Sequence, residues 1–163
     1  EYPTNQGEHA PVRVLLLGAG TVGLGVAQLI QNRDRADGSM SLTGVVVRDR
    51  AKAIRSGLPD QLVTTDLRAA LEMEYDLLVE TIGGIEPARS AILHALGLRR
   101  PVVSANKAVI AAHGSELHAA ARKAGVALHY SAAVGGGVPM LETVARVARG
   151  ARIESLEGVV NAT

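Results

Sequence analysis

Short apolar runs alternate with stretches of helical periodicity along most of the chain. The run VRVLLL at 12–17 is apolar at nearly every position, which is typical of a central parallel strand buried on both faces. The next stretch, 21–32, has apolar residues at the spacing of one helix face, namely Val22, Val26, Leu29 and Ile30. A buried strand that passes directly into a helix predicts the first half of a parallel strand–helix–strand unit.

The same alternation continues along the chain. Five more strands are predicted, at 42–47, 62–64, 76–82, 101–104 and 126–130. Helices are predicted over 66–73 with Asp66 as the cap, from Glu86 and Pro87 onward, over 108–124 with Gly125 as the stop, and over 139–150. Right-handed crossovers pair such strands in parallel. The predicted fold class is therefore α/β, with a doubly wound, mostly parallel sheet of the Rossmann type and helices on both faces.

The two ends of the chain have a different character. The first ten residues are polar and lack the apolar centre of a signal peptide, so residues 1–11 are predicted to form a flexible leader. Residues 12–150 follow as one domain. The segment 152–160 predicts a further strand with no element after it, and residues 151–163 are interpreted as the first strand of a truncated second domain.

A glycine-rich turn joins the first strand to the first helix, with the sequence Gly18-Ala19-Gly20-Thr21-Val22-Gly23. In a dinucleotide-binding fingerprint, the first glycine permits a tight turn and the second lets the backbone approach a pyrophosphate. The third allows the helix to pack closely on the strand, and the N–H groups that open the helix attract the phosphates. An ordinary strand–helix turn remains the alternative. Because the glycine-rich turn directly follows a buried strand, we predict instead that residues 12–150 form a dinucleotide-binding domain.

The end of the second strand bears on the choice between NAD and NADP. An acidic side chain there would accept hydrogen bonds from the ribose 2′-OH, whereas a guanidinium suits a 2′-phosphate. Arg48 occupies the expected position, and Arg50 and Lys52 follow it. NADP(H) is therefore the preferred cofactor, with NAD(H) as the alternative if Asp49 binds the ribose. A solvated, charged turn would also account for these residues.

Several later strands end in residues that should meet at the same edge of the sheet, where ligands bind in such folds. The cofactor contacts predicted there are Thr81, Ile82, Gly83, Ser104 and Lys107. Lys107 is one of three lysines against fourteen arginines, and a compact cation there can position a carbonyl group. It is the predicted catalytic residue, with a solvated helix start as the alternative. Glu80 fits either a buried partner of a backbone N–H or a site residue.

Composition narrows the possible partners. The net charge of +1 argues against a nucleic-acid or membrane-surface partner, and no apolar run reaches the roughly 18 residues that span a bilayer. The absence of cysteine excludes disulfides, thiolate nucleophiles and Cys-ligated zinc, and is compatible with a cytoplasmic protein. His113 and His118 are five residues apart, which is poor spacing for a metal site on one helix face.

Four motifs in order resemble the N-terminal domain of the homoserine dehydrogenase family. They are GAGTVG at 18–23, ETIGGIEPA at 80–88, VVSANKAVIAAH at 102–113 and YSAAVGGGVPML at 130–141. The resemblance implies NAD(P)-dependent interconversion of L-aspartate 4-semialdehyde and L-homoserine, in the biosynthesis of threonine, methionine and isoleucine. It also implies the cofactor contacts, with Thr21 and Val22 at the diphosphate, Arg48 at the 2′-phosphate, and Thr81 and Lys107 on the nicotinamide side.

The chain departs from the family at two places. Members usually carry Glu at the position of Ser131, and the resemblance implies a sodium ion held by that Glu and by the carbonyls of Val134, Gly136 and Val138. Without the carboxylate, the ion is expected to bind weakly, to be absent, or to have water as a ligand. The family's Asn-Gly-Thr is Asn-Ala-Thr at 161–163, so Ala162 stands where the family has glycine.

The resemblance also limits what these residues can do. The family's proton-donating lysine and the acids that hold homoserine are expected beyond Thr163, so the chain is expected to bind cofactor without turnover. The full-length protein is expected to be a homodimer. Two rivals remain, the cofactor domain of another amino-acid or aldehyde dehydrogenase and a non-catalytic dinucleotide-sensing module.

Overall fold

Six strands and six helices alternate in a computed structural model that describes residues 10–32, 39–155 and 157. The strands are β1 (Val12–Leu17), β2 (Met40–Val46), β3 (Val63–Thr64), β4 (Leu77–Glu80), β5 (Val102–Ser104) and β6 (Leu128–His129). The helices are α1 (Thr21–Gln31), α2 (Arg50–Arg55), α3 (Leu67–Leu71), α4 (Ala88–Gly97), α5 (Lys107–Ala124) and α6 (Met140–Ala148). Single 3-10 turns occupy Asp60–Leu62 and Ser131–Ala133.

The strands form one sheet in the order β3-β2-β1-β4-β5-β6, and every pairing described is parallel. This confirms the α/β fold class predicted from the sequence. The chain fills the sheet outward from β1 in one direction, then returns to add β4 on the other side of β1. The strand order therefore reverses between β1 and β4, which is where this class of sheet opens a crevice for a ligand.

Apolar side chains cover both faces of the sheet. Alternate residues of β1 point to opposite sides, so that Leu15 and Leu17 pack in one layer and Val14 and Leu16 in the other. The first layer is completed by α3, α4 and α5, and the second by α1 and α2. All four side chains are fully buried, which explains the nearly continuous apolar run of β1.

The buried face of α1 agrees only in part with the predicted one, since Val26 and Ile30 pack against the second layer as expected. Val22 and Leu29, which were expected to face the core, are each 54% exposed. The fully buried positions are instead Gly23 and Ala27. Because these residues are small, the helix backbone approaches the sheet closely, while Val22 and Leu29 lie on the side that faces solvent.

Two further predictions need correction. The helix α2 was not predicted from the sequence, and the predicted strand over 152–160 is not formed at 152–155, which carry no regular secondary structure. Apart from Glu157, the rest of that strand lies outside the described residues, as does most of the predicted leader.

The last predictions along the chain fall on residues that the structure does not describe. Asn161, Ala162 and Thr163, which stand where the family has Asn-Gly-Thr, lie outside the described residues. The proton donor expected beyond Thr163 is therefore not placed by this structure and stays a prediction. In the part of the chain that the structure describes, no helix is long and apolar enough to span a membrane.

Candidate dinucleotide site

The glycine-rich turn lies at the carboxyl end of β1, next to the point where the strand order reverses. Gly18 has a φ of 95°, a left-handed conformation that glycine adopts without steric penalty. Its N–H donates to the Val46 carbonyl oxygen at 2.8 Å, which ties the turn to the end of β2. The turn thus reverses the chain within a few residues while it stays attached to the sheet.

Gly23 and Gly20 have opposite surroundings. A Cβ atom on Gly23 would lie 2.1 Å from the Gly18 carbonyl oxygen, so only glycine permits the observed approach of α1 to the turn. A Cβ atom on Gly20 would meet nothing within 4 Å. Gly20 is also the N-cap of α1, where it offers no side chain to bond the first-turn N–H groups.

The turn therefore fits the diphosphate of a dinucleotide. The space around Gly20 is open, and the first N–H groups of α1 have no side-chain cap. Such free donors, together with the helix dipole, favour a bound anion. Thr21 and Val22 are exposed at this helix start, as the predicted diphosphate contacts require, and Ala19 is half-buried against the second apolar layer.

Thr81 joins the glycine turn to β4. Its hydroxyl donates to the Leu17 carbonyl oxygen at 2.8 Å, and its N–H donates to the same oxygen at 2.8 Å. The Thr81 Oγ1 atom would also lie 2.6 Å from a Cβ atom on Gly23. Thr81 is thus at the predicted place, but its hydroxyl proton is used to hold the crevice together.

The charged residues after β2 have different roles from one another. The Asp49 carboxylate caps α2 by accepting the Lys52 N–H at 2.8 Å. The Arg50 guanidinium pairs with Asp60 at 2.9 Å and donates to the Val63 carbonyl oxygen at 3.3 Å, so the structure does not support it as a cofactor ligand. Arg48 and Lys52 are exposed, and their side chains have no partner among the described residues.

A buried polar cluster lies where β4 and β5 end. Glu80, Ser104 and Asn106 are each at most 4% exposed. The Ser104 hydroxyl donates to the Glu80 carboxylate at 2.6 Å, so its side chain faces this acid rather than an open groove, contrary to the prediction for Ser104. The Asn106 side chain donates to the Gly84 carbonyl oxygen at 2.7 Å and also caps α5.

From the sequence alone, Glu80 fits two roles and Asn106 has no predicted role in the site. An Asn directly before a long helix is a recognisable N-cap signal that could have found the latter. The contacts of Asn106 bring the segment 82–84 next to the start of α5, where Lys107 is the first residue. Lys107 and Gly83 are exposed and Ile82 is half-buried, so this part of the predicted site is accessible.

The predicted sodium site has an unexpected carboxylate. The Ser131 hydroxyl donates to Glu142 in the first turn of α6, and this bond lowers the pKa of the Glu142 carboxyl below its usual value. Of the predicted carbonyl ligands, that of Val138 accepts the Met140 N–H at 2.8 Å. Within the described ranges, no group of three or more His, Asp or Glu side chains could hold a metal ion.

Comparison with known proteins agrees with this geometry. The sequence model of the family described as "Homoserine dehydrogenase, NAD binding domain" matches residues 18–131. Homoserine dehydrogenases of Synechocystis sp. and of Corynebacterium glutamicum are each 40% identical, over 93% and 99% of this chain respectively. The crystal structure of a homoserine dehydrogenase from Thiobacillus denitrificans has 38% identity, covers 82% of this chain and gives a TM-score of 0.73.

The matches span only part of each relative. This chain covers 36% of the Synechocystis protein, 38% of the Corynebacterium protein and 32% of the crystallised chain. The family match nevertheless includes the glycine turn, the Glu80 cluster and Lys107, which together form the crevice described above. The chain therefore belongs to the homoserine dehydrogenase family, of which it represents the NAD-binding domain.

Proposed function

We propose that the chain binds NADP(H) in preference to NAD(H), as the cofactor domain of an enzyme that interconverts L-aspartate 4-semialdehyde and L-homoserine. The observation that carries the cofactor preference is the difference between the contacts of Arg48 and those of its neighbour Asp49. The arginine is exposed without a partner among the described residues, whereas a carboxylate oxygen of the aspartate is already bonded to the start of α2. A 2′-phosphate would give Arg48 a charge-assisted partner.

The exposed ammonium of Lys52 supports the same preference. It follows Arg48 by four residues and lies in α2, where no described residue neutralises it. Two cations near the end of β2 would favour a doubly charged phosphate over a ribose hydroxyl. Arg50 is left out of this proposed site because Asp60 already neutralises it.

The remaining residues would hold the other parts of the cofactor. The start of α1 would bind the diphosphate, and the segment 82–84 with Lys107 would face the nicotinamide. When bound, the cofactor supplies or accepts the hydride. The Lys107 ammonium would orient the carbonyl group of the nicotinamide or of the aldehyde by hydrogen bonding, since it is accessible and has no partner within the described part of the chain.

Calorimetric titration with NADPH and NADH tests the cofactor preference. Arg48→Ala should weaken NADPH binding by about tenfold or more, because a charge-assisted contact is lost, and should leave NADH binding nearly unchanged. Arg50→Ala is the matched control. It removes the same positive charge at a position two residues after Arg48, from a side chain that already pairs with Asp60. Unchanged NADPH affinity in Arg48→Ala would refute the preference.

We propose Glu142, rather than residue 131, as the anionic ligand of a sodium ion. Its carboxylate lies against the Ser131 hydroxyl, so an anionic oxygen is present beside the position that carries Glu in the family. Sodium is a hard cation that prefers such oxygen ligands. Sodium chloride should therefore raise the melting temperature more than choline chloride of equal ionic strength, and Glu142→Gln should remove the difference. Equal melting temperatures of the wild type in the two salts would refute the site.

The proposed organisation of the longer protein follows the family. Residues 12–150 would form the dinucleotide-binding domain, and a substrate domain that begins within 151–163 would bind homoserine and join two copies into a homodimer in the cytoplasm. The proton-donating lysine would belong to the part of that domain beyond Thr163. Light scattering on a chain of the relatives' full length should give the mass of a dimer, and a monomer would contradict this arrangement.

A further inference from the structure

Glu80 lies where β1, β4 and β5 end, beside the crevice, and it is fully buried. Glu80 is the last residue of β4 and pairs with Leu17 of β1 on one side and Ser104 of β5 on the other. The three residues before it, at 77–79, are apolar. A charged group in such a place is unfavourable unless hydrogen bonds compensate for the lost water, so its contacts are informative.

Uncharged hydrogen-bond donors replace the water that the Glu80 carboxylate loses on burial. Its Oε1 atom accepts the N–H groups of Ile82 at 2.9 Å and Gly83 at 3.4 Å, and the Asn106 side-chain amide at 3.3 Å. Its Oε2 atom accepts the Ser104 hydroxyl at 2.6 Å. No cation among the described residues pairs with it, so these hydrogen bonds alone compensate for the lost water.

These donors belong to two separate parts of the crevice. Ile82 and Gly83 belong to the segment 82–84, in which Gly83 and Gly84 have φ angles of 74° and 75°. Such a glycine pair has many alternative conformations and must be fixed by its surroundings. Asn106 belongs to the start of α5, where its side chain also holds the Gly84 carbonyl oxygen and precedes Lys107. Glu80 is the acceptor shared by both parts.

We propose that Glu80 is a positioning residue for the nicotinamide half of the cofactor, because it fixes the segment 82–84 relative to Lys107. The inference rests on the proposed binding of NADP(H). It predicts a localised effect, since the glycine turn is bonded to Val46 and Thr81, and Arg48 follows β2 rather than β4 or β5. Loss of the carboxylate should therefore weaken contacts with the nicotinamide half and leave contacts with the adenosine half intact.

A comparison of two ligands separates this role from a general structural one. NADPH and 2′-phospho-ADP-ribose share the adenosine, the 2′-phosphate and the diphosphate, but only NADPH carries nicotinamide. Glu80→Ala should weaken NADPH binding to the chain by about tenfold and change the affinity for 2′-phospho-ADP-ribose by less than about twofold. Circular dichroism should confirm that the variant is folded at the temperature of the titration.

Glu80→Gln is the matched control. The glutamine keeps an oxygen for the N–H groups of 82–83, and its amide can donate to the Ser104 hydroxyl, so most of the NADPH affinity should return. If Glu80→Ala does not fold, Ser104→Ala provides the second variant. It removes the donor to Oε2 and should weaken NADPH binding about two- to fivefold, again without effect on 2′-phospho-ADP-ribose.

The outcomes distinguish the inference from the function on which it rests. Equal weakening for both ligands in a folded variant, or no weakening for either, would overturn the positioning role while the wild type still bound NADPH. If the wild-type chain bound neither ligand, the proposed function itself would be wrong, and the inference would be rejected with it.

Discussion

At the scale of single residues, Gly23 and Gly25 form a matched pair within α1. A Cβ atom on Gly23 would overlap the Gly18 backbone, whereas one on Gly25 would meet nothing within 4 Å. Gly23→Ala should therefore lower the free energy of unfolding by about 1–3 kcal/mol, because the helix must move away from the turn. Gly25→Ala should raise it by about 0.5–1 kcal/mol, since alanine loses less conformational entropy in a helix.

Urea denaturation of both variants gives the two values. Gly23→Ala should also weaken NADPH binding, because the displaced α1 would no longer present its N–H groups to the diphosphate. Equal stability of the two alanine variants would mean that the close approach of α1 to the turn is not a requirement of the fold.

Asp49 allows a second test at this scale. Because its carboxylate caps α2, Asp49→Ala should lower the free energy of unfolding by about 0.5–2 kcal/mol, and Asp49→Ser should restore most of it. Neither change should affect NADH affinity in a calorimetric titration. A comparable loss of NADH affinity in both variants would instead identify Asp49 as the ribose ligand and weaken the case for NADP(H).

The sequence predicted the place of individual site residues better than the use of their polar groups. Gly18 to Gly23 lie where a strand-to-helix turn was expected, because that turn depends on neighbouring residues alone. The contacts of Thr81 and Ser104 depend on residues 64 and 24 positions away in the chain. Such bonds cannot be derived from local patterns, so the sequence could not show that these hydroxyl groups bond within the fold.

Among the secondary-structure elements, those with clear apolar patterns were predicted well, and the short helix α2 was not predicted. β1 and α5 were found almost to the residue, since both have unambiguous apolar patterns and clear ends. α2 has six residues, and its pattern is too short to show a helical period. The predicted face of α1 was right for Val26 and Ile30 but wrong for Val22 and Leu29, because small residues at 23 and 27 occupy the closest approach to the sheet.

The pairing of β1 with the start of β4 gives stability a defined pH dependence. Arg13 of β1 binds Asp76, just before β4, and this ion pair lowers the pKa of the aspartate carboxyl from 3.8 to about 2. The folded state therefore prefers the ionised acid. The resulting stabilisation is fully present above pH 3.8, and it is lost progressively as the pH falls to about 2 and the folded protein takes up the proton.

Asp76→Asn should accordingly melt at a lower temperature than the wild type at pH 5 and above, and the two melting temperatures should converge towards about pH 2. The Glu86 and Glu116 carboxyls also have lowered pKa values, but they contribute equally to both proteins. A difference in melting temperature that does not change with pH would show that the ion pair does not stabilise the fold.

α6 differs from the other helices in having no buried residue. Its apolar side chains at 140, 141, 144 and 147 are half-buried or exposed, whereas Leu117 and Ala121 of α5 are buried. A helix with so little packing opens at a low free-energy cost. Hydrogen exchange should therefore be much faster for the amides of α6 than for those in the middle of α5, and equal protection would contradict this account.

At the scale of the whole molecule, the sheet order explains why the proposed binding groups meet. The glycine turn, Arg48, Thr81 and Lys107 all follow the carboxyl ends of parallel strands, so they lie along one edge although they are far apart in sequence. The order itself was not predicted strand by strand. Only the parallel character and the two helical layers followed from the alternation of strands and helices.

Without a substrate domain, the dinucleotide-binding domain is expected to bind cofactor but not to oxidise homoserine. Oxidation of homoserine transfers a hydride to the cofactor and releases a proton from the hydroxyl group, so it needs both a substrate site and a base. The chain spans only about a third of its relatives, and the crevice offers Lys107 as a positioning cation. We therefore expect NADPH binding by calorimetry, but no homoserine-dependent formation of NADPH from NADP⁺ in an absorbance assay. The homologous full-length Synechocystis enzyme is the positive control. Turnover by the 163 residues would contradict this expectation and show that they contain the base.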